Sequence, residues 1–178
     1  MIKVIAVMHG LSMRQEDRTL EFRMFISGAA RRLLHTATLL TAEPHDENPR
    51  ARRLLTLTFA YTYACWDRLR GEDPYDRARQ HLATRFAYSA WRQYGGLPLF
   101  GRARPSPGTA LARLSPMERL VLVLRFFEGI EEEQIAAALG LSVDRVRALY
   151  HRAATKLLRP TQGLAQTPDN DSLTARRT

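Results

Sequence analysis

The sequence holds one cysteine, Cys65, so no internal disulfide can form, and with no Cys-x-x-Cys pair there is neither a thiolate zinc site nor a dithiol redox site. A reducing, cytoplasmic compartment is the corresponding expectation. Long apolar runs are missing too. The opening run Ile2 to Met8 spans about seven residues and carries Lys3 inside it. It is too short to cross a bilayer and lacks the longer apolar region and small-residue cleavage site of a signal peptide. Residues 1–17 read as a loose N-terminal extension, and Met8, Met13 and Met24 leave the natural start open.

No strand-type alternation is sustained, which argues against a sheet-based fold. Catalytic constellations are equally scarce: His9, His35, His45, His81 and His151 are scattered, with no Cys or carboxylate cluster at ligand spacing around them. A glycine-rich phosphate loop, a Gly-x-Ser-x-Gly elbow and a His-Glu-x-x-His pair are all absent. His45 and Asp46 fit a polar capping loop better than a catalytic pair. The chain is therefore expected not to be an enzyme, and to have no cofactor, no metal, no small-molecule substrate and no membrane association.

Lysine is almost missing, since 25 of the 27 basic residues are arginines, and acids number only 18, which leaves a formal charge of +9. Such an excess favours a polyanionic partner over an acidic small molecule. The hydrophobic content of 45% is that of a globular chain and not of a disordered basic tail. At 178 residues the chain is too short for a barrel enzyme with its loops, and suits one ordinary domain or two small ones.

What the chain has in abundance is helical periodicity. Phe22, Phe25, Ile26, Ala29, Leu33, Ala37 and Leu40 fall on one face of a helix running from roughly Arg18 to Thr41. Leu55, Phe59, Tyr63 and Trp66 mark a second helix, and Ala78, Leu82, Phe86 and Ala90 a third. Three helix starts pair a capping residue with proline at the first helical position: Asn48-Pro49, Asp73-Pro74 and Ser115-Pro116. At Ser115 the signal includes Glu118 three residues on, which completes a capping box.

Between Gly95 and Ala110 glycines and prolines accumulate, and residues 95–110 read as a linker. The expected architecture is all-α, with a helical bundle over residues 18–94 and a second module over 111–160. Residues 161–178 are polar and aperiodic and read as a disordered tail.

The second module carries the sharpest signal. A capped apolar helix from Pro116 to Phe127 stops at Glu128-Gly129, a short helix follows over about Glu132 to Leu139, and after Gly140-Leu141 Ser142 caps a longer helix to about Leu158. Helix, tight glycine turn, helix is the helix-turn-helix arrangement, whose second helix can lie in the major groove of DNA. Projected at about 100° per residue, Val143, Val146, Tyr150, Ala153 and Leu157 face the core. Arg145, Arg152, Lys156 and Arg159 line one flank of the exposed side, Arg147 the other, and Asp144, Ala148, His151 and Thr155 form the crest between them. Modest side chains at the crest leave room for base edges, and arginines on the flanks reach phosphates or guanine. From Ser142 to Pro160 five basic residues face one acid, a local +4, while the preceding helix holds Glu131, Glu132 and Glu133. A solvated surface helix would mix the signs. The candidate DNA-binding residues are Ser142, Arg145, Arg147, Ala148, His151, Arg152 and Lys156.

These motifs, from Leu114-Ser115-Pro116-Met117-Glu118-Arg119 through Gln134-Ile135-Ala136 and Leu139-Gly140 to Val146-Arg147 and His151-Arg152-Ala153, resemble domain four of the extracytoplasmic-function sigma factors of RNA polymerase. The resemblance implies that the last helix reads an upstream (minus-35) promoter element. The family often has a basic residue where Leu149 stands, which implies one contact fewer. Similarly, three helices with Trp66 in the second and Asp73-Pro74 opening the third resemble domain two of that family, which grips the polymerase clamp and captures the melted minus-10 element. Cations and flat rings suit unstacked bases, and Arg77, Arg85, Tyr88, Trp91 and Arg92 are the candidate single-strand contacts.

Promoter DNA and core RNA polymerase are thus the implied partners. The family is often held inactive by anti-sigma factors, which adds one as a candidate partner, although no segment marks a surface for it. One departure bears on polymerase: Arg50, Ala51, Arg52, Arg53 and Thr56 stand where the family usually has acids and a glutamine. Like charges across an interface cost free energy. Asp46 and Glu47 lie just upstream as substitutes. A stand-alone helix-turn-helix regulator without productive polymerase binding, dimerising through its N-terminal bundle, is the alternative reading.

Overall fold

The computed structural model describes the backbone of residues 2–69, 71–95 and 109–159, and the side chains of 15–69, 71–90 and 109–159. Among these the fold is all-α. Helix α1 (Ile2–Thr41) runs back through the segment expected to be a loose extension. Its apolar stripe is the one read from the periodicity, with Phe22, Ala29, Leu33, Ala37 and Leu40 buried.

Helix α2 (Pro49–Ala64) departs from expectation in two ways. Asn48 occupies the N-cap position, yet its side chain does not cap: its amide donates to Thr38 Oγ1 and the His45 carbonyl, and its oxygen accepts from Arg52 Nε. Glu43 does the capping from outside the helix, accepting from the backbone N–H groups of Arg50 at 3.1 Å and Ala51 at 2.8 Å. Burial pushes the Glu43 carboxyl up, but those N–H donors and the Arg50 guanidinium outweigh it and hold its pKa below the ordinary value. The deepest stripe is Ala51, Leu54, Thr58 and Thr62, rotated by about one residue from the expected Leu55, Phe59 and Tyr63. Threonine can face the core because Thr58 Oγ1 and Thr62 Oγ1 each donate to the carbonyl four residues back, at 2.9 Å. Trp66 lies outside α2, in the short 3-10 turn Trp66–Arg68, where its ring meets Phe22 and Phe25.

Helix α3 (Pro74–Gly95) buries Ala78, Leu82, Phe86 and Ala90 as expected, and Asp73 Oδ1 accepts from the Tyr75 N–H at its start. The expected linker falls outside the described residues except at its ends, and so does the expected tail, 161–178. After a 3-10 turn, Ala110–Arg113, come α4 (Pro116–Leu122), a π-helical turn Val123–Phe127, α5 (Glu132–Leu139) and α6 (Val143–Leu158). The single helix expected from Pro116 to Phe127 thus widens midway. The Glu128 N–H reaches the Val123 carbonyl five residues back at 3.1 Å, the register of a π-turn.

The two modules share one core. Leu33, Leu82, Ala83 and Phe86 from the first bundle cluster with Leu120, Val121, Leu124 and Ile135 from the second. A smaller cluster of Leu114, Leu122 and Ala153 lies wholly within the second module. Across the seam the widened turn delivers Glu128, whose side chain is only 2% exposed, to α1 and α3. Its carboxylate accepts from Arg32 at 3.0 Å, Tyr75 Oη at 3.2 Å and Thr36 Oγ1, with Arg79 at 3.8 Å. A buried carboxylate is tolerated only with this degree of pairing.

Candidate nucleic-acid interface

The helix-turn-helix is built from local signals. Ser115 and Glu118 form the capping box of α4: the Ser115 N–H donates to Glu118 Oε2 at 2.9 Å, and the Glu118 N–H to Ser115 Oγ at 3.4 Å. Gly140 ends α5 with φ of 65°, a left-handed conformation that costs any other residue about 1–2 kcal/mol. The Leu141 N–H then closes the turn on the Ala136 carbonyl at 3.0 Å. Ser142 accepts from the Arg145 N–H at 3.3 Å and starts α6.

Helix α6 buries Val146, Leu149 and Ala153, with Val143, Tyr150 and Leu157 half-buried beside them. Leu149 is therefore a core residue, and not the site of a lost cation contact. The expected core sector was centred too far toward Val143 and Tyr150, and on the observed one Leu149 packs inward at 5% exposure. Its opposite face presents Asp144, Arg145, Arg147, His151, Arg152 and Thr155 to solvent, with Ser142 exposed at the cap and Ala148 half-exposed among them.

Internal acids hold several of these cations. Arg147 pairs with Glu132 of α5 at 3.1 Å and with Asp144 at 3.3 Å. Lys156 donates to both oxygens of Glu118, at 2.8 and 2.7 Å, and Arg152 stands 3.6 Å from the same carboxylate. Glu118 is 5% exposed, and although burial raises its pKa, the Lys156 and Ser115 donors bring it below the ordinary value. Lys156 sits at the buried edge of the helix as a partner of Glu118. Arg145 makes no ion pair among the described residues and so meets an incoming anion without first leaving a carboxylate. Glu118 and Glu132 are organisers that the reading of α6 alone could not find, because both lie on other helices.

In the first module α3 brings Arg77, Arg85 and Tyr88 to one side, at spacings of eight and three. Tyr88 is 55% exposed. Trp91 and Arg92 belong to α3, but their side chains lie outside the described set. Between Arg77 and Arg85 lies His81, stacked on Tyr61 with ring centroids 3.9 Å apart. Burial, then the charges of Arg85 and Arg77, lower the His81 pKa to about 4, so the imidazole is neutral at physiological pH. His81 and Tyr61 were missed as companions of these arginines, although the spacing 77, 81, 85 carried the signal for His81. The basic stretch of α2 is not uniformly a surface either: Arg50 donates through Nε to Glu43 at 3.0 Å and to the Thr41 carbonyl at 3.0 Å, and Arg52 Nε is taken by Asn48.

No described helix is long and apolar enough to cross a membrane, and no His, Cys, Asp or Glu cluster that could hold a metal ion occurs among the described residues.

The helix-turn-helix coincides with a known family. Residues 110–158 match Sigma-70, region 4. Over a longer span the chain is 31% identical to an RNA polymerase sigma-E factor of Streptomyces antibioticus across 158 residues, 80% of this chain and 85% of the relative. The RNA polymerase sigma-E factors of Streptomyces avermitilis and Streptomyces coelicolor are 30% and 28% identical over 153 residues, in each case 78% of this chain, and 83% and 84% of the relatives. No solved structure matches the chain. Since these relatives cover both modules, the reading as a free-standing helix-turn-helix regulator is not favoured. The chain belongs to the extracytoplasmic-function family of RNA polymerase sigma factors.

Proposed function

We propose that this sigma factor reads an upstream promoter element with α6, using Arg145, Arg147, His151 and Arg152 at the groove with Ser142 and Ala148 beside them, while Lys156 steadies the helix through Glu118. The observation that carries the reading is the exposed face of α6, where small crest residues are flanked by arginines. The first bundle takes core polymerase and the opened minus-10 strand, with Arg77, Arg85, Tyr88, Trp91 and Arg92 meeting the strand. Its support is the exposure of Tyr88 beside cations on α3. The pairing of Arg50 with Glu43 removes one of the three arginines that would oppose a basic polymerase surface.

Two measurements test this. In-vitro transcription with core polymerase is expected to yield promoter-specific transcripts only when the chain is added. Binding of promoter duplexes at fixed salt is expected to weaken in Arg147→Ala and Arg152→Ala. Unchanged affinity in both variants would remove α6 as the reading helix.

A further inference from the structure

Arg50 and Arg119 line one cavity at the seam between the modules, close enough for the charge of Arg50 to act on Arg119. Arg119 is 7% exposed; its Nη1 donates to the Leu111 carbonyl at 3.2 Å, and its buried Nε has no partner. Arg50 uses Nε on Glu43 and Nη2 on the Thr41 carbonyl, and its Nη1 makes no hydrogen bond among the described residues. Both side chains line a cavity of about 70 Å³ together with Thr41, Leu54, Phe86 and Ser89. Among the described residues Glu43, which binds Arg50, is the one carboxylate bonded to either guanidinium, so within that set two positive charges face one negative. Glu118, next to Arg119 in sequence, is occupied by Ser115 and Lys156. Burial, then the neighbouring Arg50 charge, lower the Arg119 pKa to about 10, which still leaves it cationic at neutral pH.

Two like-charged guanidiniums lining one largely apolar cavity, Arg119 being 7% exposed, are costly unless an anion joins them. The cavity, about 70 Å³, is small, of a size for a compact oxyanion. We propose that this cavity binds inorganic phosphate, or an oxyanion of the same class, which bridges Arg50 of the first module to Arg119 of the second. Guanidinium forks match such oxygens in geometry and charge. Because Arg50 and Arg119 come from different modules, the bound anion holds the modules together, and no residue of α6 lines its site.

The test is thermal unfolding of the full chain with inorganic phosphate titrated against chloride at constant ionic strength. Phosphate is expected to raise Tm with the logarithm of its concentration above Kd, by about 2–6 °C at ten times its Kd, and Arg50→Gln is expected to weaken the apparent affinity at least tenfold. Arg119→Gln should do the same; where its loss destabilises the chain too far to titrate, Arg119→Lys, which keeps the charge but not the fork, is expected to lower the affinity as well. A rise that stays linear in phosphate concentration, with no logarithmic regime, or one of equal size in Arg50→Gln, would mark a general salt effect and overturn the site. A nucleoside diphosphate that binds more tightly than inorganic phosphate would overturn the assignment to a free oxyanion.

Discussion

Glu118 ties two helices together with one side chain. Its carboxylate closes the capping box of α4 and receives Lys156 and Arg152 from α6. A capping interaction contributes about 1 kcal/mol, and a charge-assisted bond to Lys156 about as much again. Glu118→Ala is therefore expected to destabilise the chain by about 2–3 kcal/mol in urea unfolding, and Glu118→Gln, which can still accept from the Ser115 N–H, by less. Equal losses in the two variants would show that the cap contributes nothing.

His81 gives a pH dependence of definite sign. Its folded pKa of about 4 lies below the ordinary 6.5. The unfolded chain binds a proton between these values and the folded chain does not, so stability is lost as pH falls from about 6.5 to about 4 and levels off below. With solvent screening of a half-buried group, the loss is on the order of 1–2 kcal/mol. His81→Gln is expected to flatten the profile of Tm against pH within that window only. Glu43 and Glu118 act lower down, because their depressed pKa values withdraw stability only as pH falls through and below 4.5.

At the scale of elements, the proposed recognition rests on α6. Arg147 must leave Glu132 and Asp144 before it reaches a base or phosphate, whereas Arg145 starts free of any such carboxylate. Arg147→Ala and Arg152→Ala are each expected to weaken promoter binding by about 1–3 kcal/mol if the side chain reads a base. Arg145→Ala should instead lower affinity for all sequences alike and reduce the slope of log K against log salt by about one. A base-specific loss at Arg145 would exchange these roles.

Much of this element was legible beforehand. The capping box at Ser115, the glycine turn and the basic face of α6 are local signals, set by residues three or four apart. What failed did so because the deciding contact lay elsewhere. Asn48 looked like a cap, but Glu43 reached the helix start from the preceding loop. The expected stripe of α2 was drawn through its large apolar residues, yet the hydroxyls of Thr58 and Thr62 bond their own helix and so could turn inward. Leu149 was placed off the core because a wheel drawn for one helix does not know where its neighbours sit.

The whole molecule was the least legible level. A stretch rich in glycine and proline suggested two separate modules, and nothing in the periodicity said that their cores would merge. The joining residue, Glu128, arrives through a π-turn that no apolar repeat announces, and its partners Arg32, Thr36, Tyr75 and Arg79 are 49 to 96 positions away in the chain. Removing one member of such a buried charged cluster costs about 3–5 kcal/mol. Glu128→Ala is therefore expected to loosen the seam while leaving the local caps of α4 and α6 intact, so that the radius of gyration from solution scattering rises. If the proposed reading of two separated promoter elements requires the modules to take up separate positions, the free energy of undocking is subtracted from the free energy of binding. The same variant should consequently bind a promoter carrying both elements more tightly, about tenfold for each 1.4 kcal/mol of docking removed. It should bind a duplex with the upstream element alone as the unsubstituted chain does. Were the affinity for the full promoter to fall instead, the docked arrangement would be part of the bound state, and Glu128 would hold the modules in the pose that meets DNA.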